Sequence, residues 1–177
     1  MTLLFIIGAG ITFYMTNDFI PSLIVGVIFI FVGGLFIGLN VQRKNKLLLQ
    51  SGIYDIDKMK GVEFENYLKL LYQKKGYDVS MTPGSGDFGA DLVVKKDGKK
   101  SVVQVKRYSK SVGIKAVQEI IPAIRHYNAS DAWVITNSTF TSPAVQLAKS
   151  NNVRLIDREM LIQVILDVKR REQTKSA

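Results

Sequence analysis

Residues 83–108 read PGSGDFGADLVVKKDGKKSVVQVKRY. A glycine-rich loop carries Asp87 and Asp91 and runs into a short β-like segment. Lys96-Asp97-Gly98-Lys99 is a good hairpin turn, so residues 90–95 and 101–107 are expected to pair as antiparallel strands. Side chains alternate along a strand, which puts Val102, Gln104 and Lys106 on one face and Val103 and Val105 on the other. An amide and an ammonium two residues apart, late in a Val-rich strand, read as a site and not as core. Antiparallel pairing sets the start of one strand against the end of the next, so Asp91 is expected to meet Lys106.

A carboxylate, an amide oxygen and backbone carbonyls form a hard oxygen-ligand set suited to Mg²⁺. A lysine beside them can orient or deprotonate a water and stabilise developing negative charge. These parts suit metal-assisted phosphodiester hydrolysis. The spacing alone leaves a plainer alternative open, with Asp91 capping a strand and Lys106 a solvated edge lysine. Glu65, on a helix otherwise committed to packing, could reach the metal or position its waters. Gly84, Gly86 and Gly89 let the backbone approach a phosphate, or simply make a pliant loop. Lys95, Lys96, Lys99 and Lys100 cluster at the hairpin tip, either as a DNA-backbone clamp or as a solvated turn.

Outward from this stretch, residues 62–75 place Phe64, Tyr67, Leu68, Leu71 and Tyr72 at helical spacing, and Gly76 stops the helix. Residues 77–81 read as a strand. Residues 113–127 read as a helix with Ala116, Val117, Ile120, Ile121 and Ile124 inward, and Pro122 inside it predicts a kink or an early break. Residues 132–136 (AWVIT) are a strand of the kind buried in a sheet centre. A third helix covers residues 142–151, with Thr141 or Ser142 as cap and Pro143 in its first turn. A short strand at 153–156 and a helix at 157–171 come next, with a frayed tail at 172–177. The order α-β-β-β-α-β-α-β-α predicts an α/β fold, a mixed sheet with helices on both sides. His126 reads as a helix-end or surface residue and Trp133 as core, while Thr136, Thr139 and Thr141 suit either phosphate contacts or caps. The sequence has no P-loop lysine pattern, no His–Cys zinc spacing and no Ser–His–Asp set.

The beginning of the chain is of another kind. Residues 3–15 are an apolar run, and residues 19–39 are 21 residues without a charge, enough for about 30 Å of helix and a bilayer crossing. Thr16-Asn17-Asp18 joins the two runs, so residues 1–41 are expected to form a transmembrane hairpin of two helices. No Lys or Arg precedes residue 43, which argues against a cleaved signal peptide. Arg43, Lys44 and Lys46 at the membrane edge predict that the remainder of the chain lies on the cytoplasmic face of the inner (plasma) membrane. Residues 42–60 then read as a juxtamembrane linker and 61–171 as the soluble domain. Of the 177 residues, those after residue 42 carry 24 basic and 14 acidic side chains, a net of +10 that suits nucleic acid or an anionic membrane. The absence of cysteine excludes disulfides and thiolate metal sites.

Several ordered pieces together resemble the Mrr-like restriction endonuclease domain, a branch of the PD-(D/E)xK nuclease superfamily, over about residues 61–161. They are Gly61-Val-Glu-Phe-Glu65, Gly86-Asp-Phe-Gly-Ala-Asp91, Gln104-Val-Lys-Arg-Tyr108, Val134-Ile-Thr-Asn-Ser-Thr-Phe-Thr141 with Ala144, and Leu155-Ile-Asp157. The resemblance implies a restriction-endonuclease-like sheet and a catalytic set of Asp91, Gln104, Lys106 and Glu65. Asp91, Gln104 and the Val105 carbonyl would hold Mg²⁺, with Gln104 where many members of the superfamily carry glutamate. Asp87, Gly86 and Gly89 would support the loop. Gln118 would face the site from the next helix and join Arg107 and the four tip lysines as DNA contacts. Ala90, where a residue like isoleucine is more usual, and Ile120-Ile-Pro-Ala123, where a glycine is expected, depart from the pattern without removing a catalytic side chain. The expected function is a membrane-anchored, Mg²⁺-dependent DNA endonuclease of restriction or defence, of the type IV kind. The alternative is a DNA-binding or anionic-membrane-binding regulatory protein on the same fold. Expected partners are DNA and the membrane, with a homodimer left open.

Overall fold

The computed structural model describes residues 6, 9–11, 13–14, 18–50, 52–84 and 86–176, without the side chains of residues 19, 41–50, 175 and 176. It divides into two units, one up to Leu48 and one from Leu49 onward.

In the first unit, helix α1 (Phe19–Gln50) opens on Asp18, whose side-chain oxygen accepts the Ile20 N–H at 3.2 Å. Within it, Ile20–Asn40 is long and apolar enough to cross a membrane, and it is the one such helix among the described residues. The first arm of the expected hairpin falls mostly on residues outside the description. The basic stretch from residue 43 continues α1 as helix to Gln50.

In the second unit, a short helix α2 (Ile53–Ile56) precedes α3 (Gly61–Lys74). Ile56 is fully buried and Met59 nearly so. Residues assigned to a linker by composition are therefore part of the folded body. Asp57, just after α2, accepts both guanidinium nitrogens of Arg158 at 2.8 Å and the Asn137 amide at 2.8 Å. This fork ties α2 to the end of β4 and the start of the last helix. The Arg158 hydrogen bond is the main cause that holds the Asp57 carboxyl below its ordinary range, against the opposing effect of burial.

The sheet has five strands in sequence order: β1 (Asp78–Met81), β2 (Leu92–Lys96), β3 (Lys99–Lys106), β4 (Asp131–Thr136) and β5 (Val153–Ile156). The first three run antiparallel, and β3–β4–β5 run parallel. The β2–β3 hairpin closes at Lys96↔Lys99, so its loop is Asp97-Gly98 with φ of 50° and 76°. Positive φ at both loop residues marks the tight turn whose twist matches the strands. Parallel neighbours require crossovers, and α4 (Ile114–His126) and α5 (Ser142–Ser150) supply them.

α4 and α5 pack together on one face of the sheet. There Val93, Val102, Ala132, Val134 and Val153 meet Ala116, Val117, Ile120, Ala123, Ala144 and Ala148 in one core. α3 and α6 (Arg158–Ser176) cover the other face. All five side chains expected inward on α3 are buried. α4 runs through Pro122 without the expected break, because the helix loses only one N–H there and its partner carbonyl, on Gln118, belongs to an exposed residue. α6 also runs beyond the expected end, through the tail to Ser176, where Glu172 pairs with Lys74 of α3.

Candidate active site

The loop after β1 is built to lie along α4. The Asp87 Oδ1 accepts the Gly89 N–H at 2.9 Å, and Thr82 Oγ1 donates to the Ala90 carbonyl. Phe88 adopts a φ of 53° and stacks on His126, with ring centroids 4.1 Å apart. Gly89 has a φ of +81°, and a Cβ there would lie 2.5 Å from the Glu119 carbonyl oxygen. Only glycine permits both that dihedral and that approach. Gly86 has positive φ as well but faces open space.

The loop delivers Asp91 to the hairpin one residue before β2. The Asp91 N–H donates to the Val103 carbonyl at 2.8 Å, and its Oδ2 accepts the Val105 N–H at 2.6 Å. Asp91 is therefore held against β3 between Val103 and Val105, with the Lys106 charge acting on it. Burial is the main cause that raises the Asp91 carboxyl above its ordinary range, with the Val105 N–H and Lys106 opposing it and Asp87 and Glu119 adding to it. Glu65, on the first turns of α3, is raised too, by burial first and then by Asp91 and Asp87. Glu65 thus feels the charges of Asp91 and Asp87, and Lys106 opposes them.

Gln104 is 3% exposed, and its Nε2 donates to Glu119 Oε2 at 3.1 Å. The Lys106 Nζ donates to the same oxygen, also at 3.1 Å. The lysine and the glutamine thus converge from β3 on one carboxylate of α4. Burial opposes ionisation of Glu119, but its hydrogen bonds and charge contacts with Lys106, Gln104 and Lys115 outweigh this and leave its carboxyl below the ordinary range.

Glu119 is the site residue that sequence reasoning missed. Its neighbour Gln118, expected at the site, is exposed. The available signal was periodicity: position 119 lies three residues after Ala116 and four before Ala123, at the edge of the buried face of α4. A charged residue that borders a buried face is placed to reach a partner across it.

The four tip lysines are not brought to the site. Lys95 and Lys96 end β2 and Lys99 and Lys100 start β3, whereas Lys106 ends β3, seven residues and roughly 23 Å along the strand from Lys99. Most are engaged locally: Lys96 with the Lys75 carbonyl and the Tyr77 ring, Lys100 with the Tyr127 carbonyl, and Lys95 with Asp78. Arg107 does lie at the active end. It lines a polar cleft of about 420 Å³ with Tyr108, Ser109, Ser138, Thr139 and the Asp57–Arg158 pair. Of the threonines, Thr136 is fully buried and Thr141 stands at the N-cap position of α5 without a side-chain cap bond, whereas Thr139 faces that cleft.

The residues present fit a hard cation. Gln104 Oε1 is a buried amide oxygen with no hydrogen-bond partner among the described residues. The next residue of the strand, Val105, gives its N–H to the Asp91 Oδ2 and so orients that carboxylate. No group of three or more carboxylates or histidines gathers among the described residues, so the donor set is mixed: one carboxylate, one amide oxygen and the strand backbone. Val105 enters the site through its N–H, on Asp91.

A five-stranded mixed sheet covered on both faces, with a carboxylate, an amide and a lysine gathered at the end of the hairpin strand, defines a restriction-endonuclease-like α/β domain. The family model Mrr_cat, described as restriction endonuclease, matches residues 56–165, well over half of the chain, and the chain belongs to that family. Among curated proteins it is 33% identical over 113 residues to the type IV methyl-directed restriction enzyme EcoKMrr of Escherichia coli (strain K12). That match covers 59% of this chain but only 37% of the relative. Among solved structures, the DNA modification-dependent restriction endonuclease AspBHI aligns with a TM-score of 0.53 at 18% identity, over 70% of this chain and 35% of that one. A protein of unknown function aligns with a TM-score of 0.50 at 17% identity, over 58% and 62% of the two chains. At these identities the structural likeness concerns the fold.

Proposed function

We propose that this chain is a membrane-anchored, Mg²⁺-dependent endonuclease that hydrolyses phosphodiester bonds of foreign or modified DNA on the cytoplasmic side. The observation that carries the reading is the meeting of Asp91, the unpartnered Gln104 Oε1 and Lys106 at one end of the sheet, inside a restriction endonuclease domain. When bound, Mg²⁺ would supply charge neutralisation at the scissile phosphate. Asp91 and Gln104 would hold it, with the Val105 carbonyl as a third donor. Lys106 would orient the attacking water and stabilise charge on the phosphate. Glu65 would position solvent from the α3 side. Arg107, with Ser109 and Thr139 in the neighbouring cleft, would grip the backbone beyond the scissile bond. The family and the name of the Escherichia coli relative support restriction of methylated DNA as the setting. The apolar length of Ile20–Asn40 and the basic residues after it support the anchor and its orientation.

Supercoiled plasmid, with and without methylation, tests the activity. With Mg²⁺ the full-length chain is expected to nick or linearise it, and Asp91→Asn is expected to leave it intact. Equal behaviour of the two proteins would remove the enzyme reading and favour a non-cleaving DNA-binding role.

A further inference from the structure

We propose that Glu119 is the positioning residue of the site: it fixes which way the Gln104 amide faces and holds Lys106 beside it. This rests on the nuclease reading and assigns a role that the reading does not itself contain. A glutamine side chain can present either its oxygen or its NH₂ to a given point, and its hydrogen bonds decide which. Here the NH₂ is taken by Glu119 Oε2, which is acceptor-only as a carboxylate. Gln104 Oε1 is thereby left as a buried acceptor without a hydrogen-bond partner among the described residues, one residue before the Val105 N–H that holds Asp91. The reversed amide would set an N–H donor where a cation needs an oxygen, and would face Glu119 with a second acceptor. The same Oε2 takes a proton of Lys106, so one atom sets the positions of both functional side chains of β3.

The placement of Glu119 is itself built in. Its carbonyl lies against Gly89 so closely that no side chain fits there, and Asp87 holds the Gly89 N–H. The loop motif and α4 are therefore registered to one another at the residue that orients Gln104. This gives Gly89 a role in the site although it contributes no side chain. It also accounts for the amide at position 104. A carboxylate there would sit about 3 Å from that of Glu119, and like charges at that distance disfavour joint ionisation.

The assignment predicts that Glu119 acts through Gln104 and not on the cation directly. A double-mutant cycle on the full-length chain in detergent, with Mg²⁺ dissociation constants measured by calorimetry, tests it. Glu119→Ala is expected to weaken Mg²⁺ binding about tenfold in the wild-type background. In a Gln104→Ala background, where no amide remains to orient, the same change is expected to cost no more than about twofold. Glu119→Gln keeps the volume and an acceptor oxygen, and is expected to recover part of the loss. Thermal melts of each variant confirm that the fold is retained. If wild type binds Mg²⁺ and cleaves DNA but the two substitutions are additive, Glu119 is a direct or merely electrostatic contributor and this assignment is overturned. If wild type neither binds Mg²⁺ nor cleaves, the nuclease reading fails and takes the assignment with it.

Discussion

Asp91 is a half-buried carboxylate kept at a cost. Burial raises its pKa, and Glu65 beside it is raised for the same first reason. Between the ordinary carboxylate range and these raised values, the folded protein holds protons that the unfolded chain has lost. The stability linked to these groups is therefore full in acid and is lost as pH rises through the raised values. At neutral pH without metal, Asp91→Asn should consequently melt higher than wild type, by about 3 °C. The difference should shrink below the ordinary carboxylate range. Added Mg²⁺ should raise the melting temperature of wild type and leave that of the variant unchanged. The residue scale is also where sequence reading divides. Asp91, Gln104, Lys106 and Glu65 were legible because their types are out of place on a Val-rich strand or a packing helix. Glu119 was not, because its partners lie 13 and 15 residues away on another element, and no spacing within α4 names them. Gln118 was chosen beside it, yet one helical position turns a side chain by about 100°, from the edge of the packed face to solvent.

The elements followed local chemistry closely. Asp97-Gly98 closes the hairpin as its turn sequence requires, and the alternation along β3 sends Gln104 and Lys106 to the α4 side. What local chemistry did not carry was tertiary. Asp57 and the buried Ile56 beside it looked like linker, since the Arg158 fork that holds Asp57 comes from α6, a hundred residues later. The hairpin-tip lysines looked like part of the site because sequence distance hides that strand β3 separates them from it. Two glycines test the account of the loop. Gly89 and Gly98 both have positive φ, but only Gly89 meets a neighbouring backbone. Gly98→Ala should cost about 1 kcal/mol. Gly89→Ala adds a collision with the Glu119 carbonyl and should cost roughly 3 kcal/mol, with a loss of Mg²⁺ affinity that Gly98→Ala does not share. Urea unfolding of the two variants separates the effects.

At the scale of the whole molecule, an apolar helix and a basic α/β domain occupy one chain. Ile20–Asn40 spans about 30 Å as a helix, and its outward side chains include Phe31, Leu35 and Phe36. If it anchors the protein, the full-length chain should remain with the membrane fraction through an alkaline carbonate wash. A chain with Leu, Ile and Phe replaced by Ser at several of these positions should be released. Anchoring would confine cleavage to DNA near the membrane and leave the chemistry of the site as it is. That chemistry is what the account stands on, and Lys106 is the residue to which it assigns the reaction itself. The most direct measurement is single-turnover DNA cleavage by Lys106→Ala beside its Mg²⁺ affinity. The expected result is a cleavage rate lower by about 10³-fold with Mg²⁺ binding kept within a few-fold of wild type. Cleavage by Lys106→Ala at the wild-type rate would contradict it.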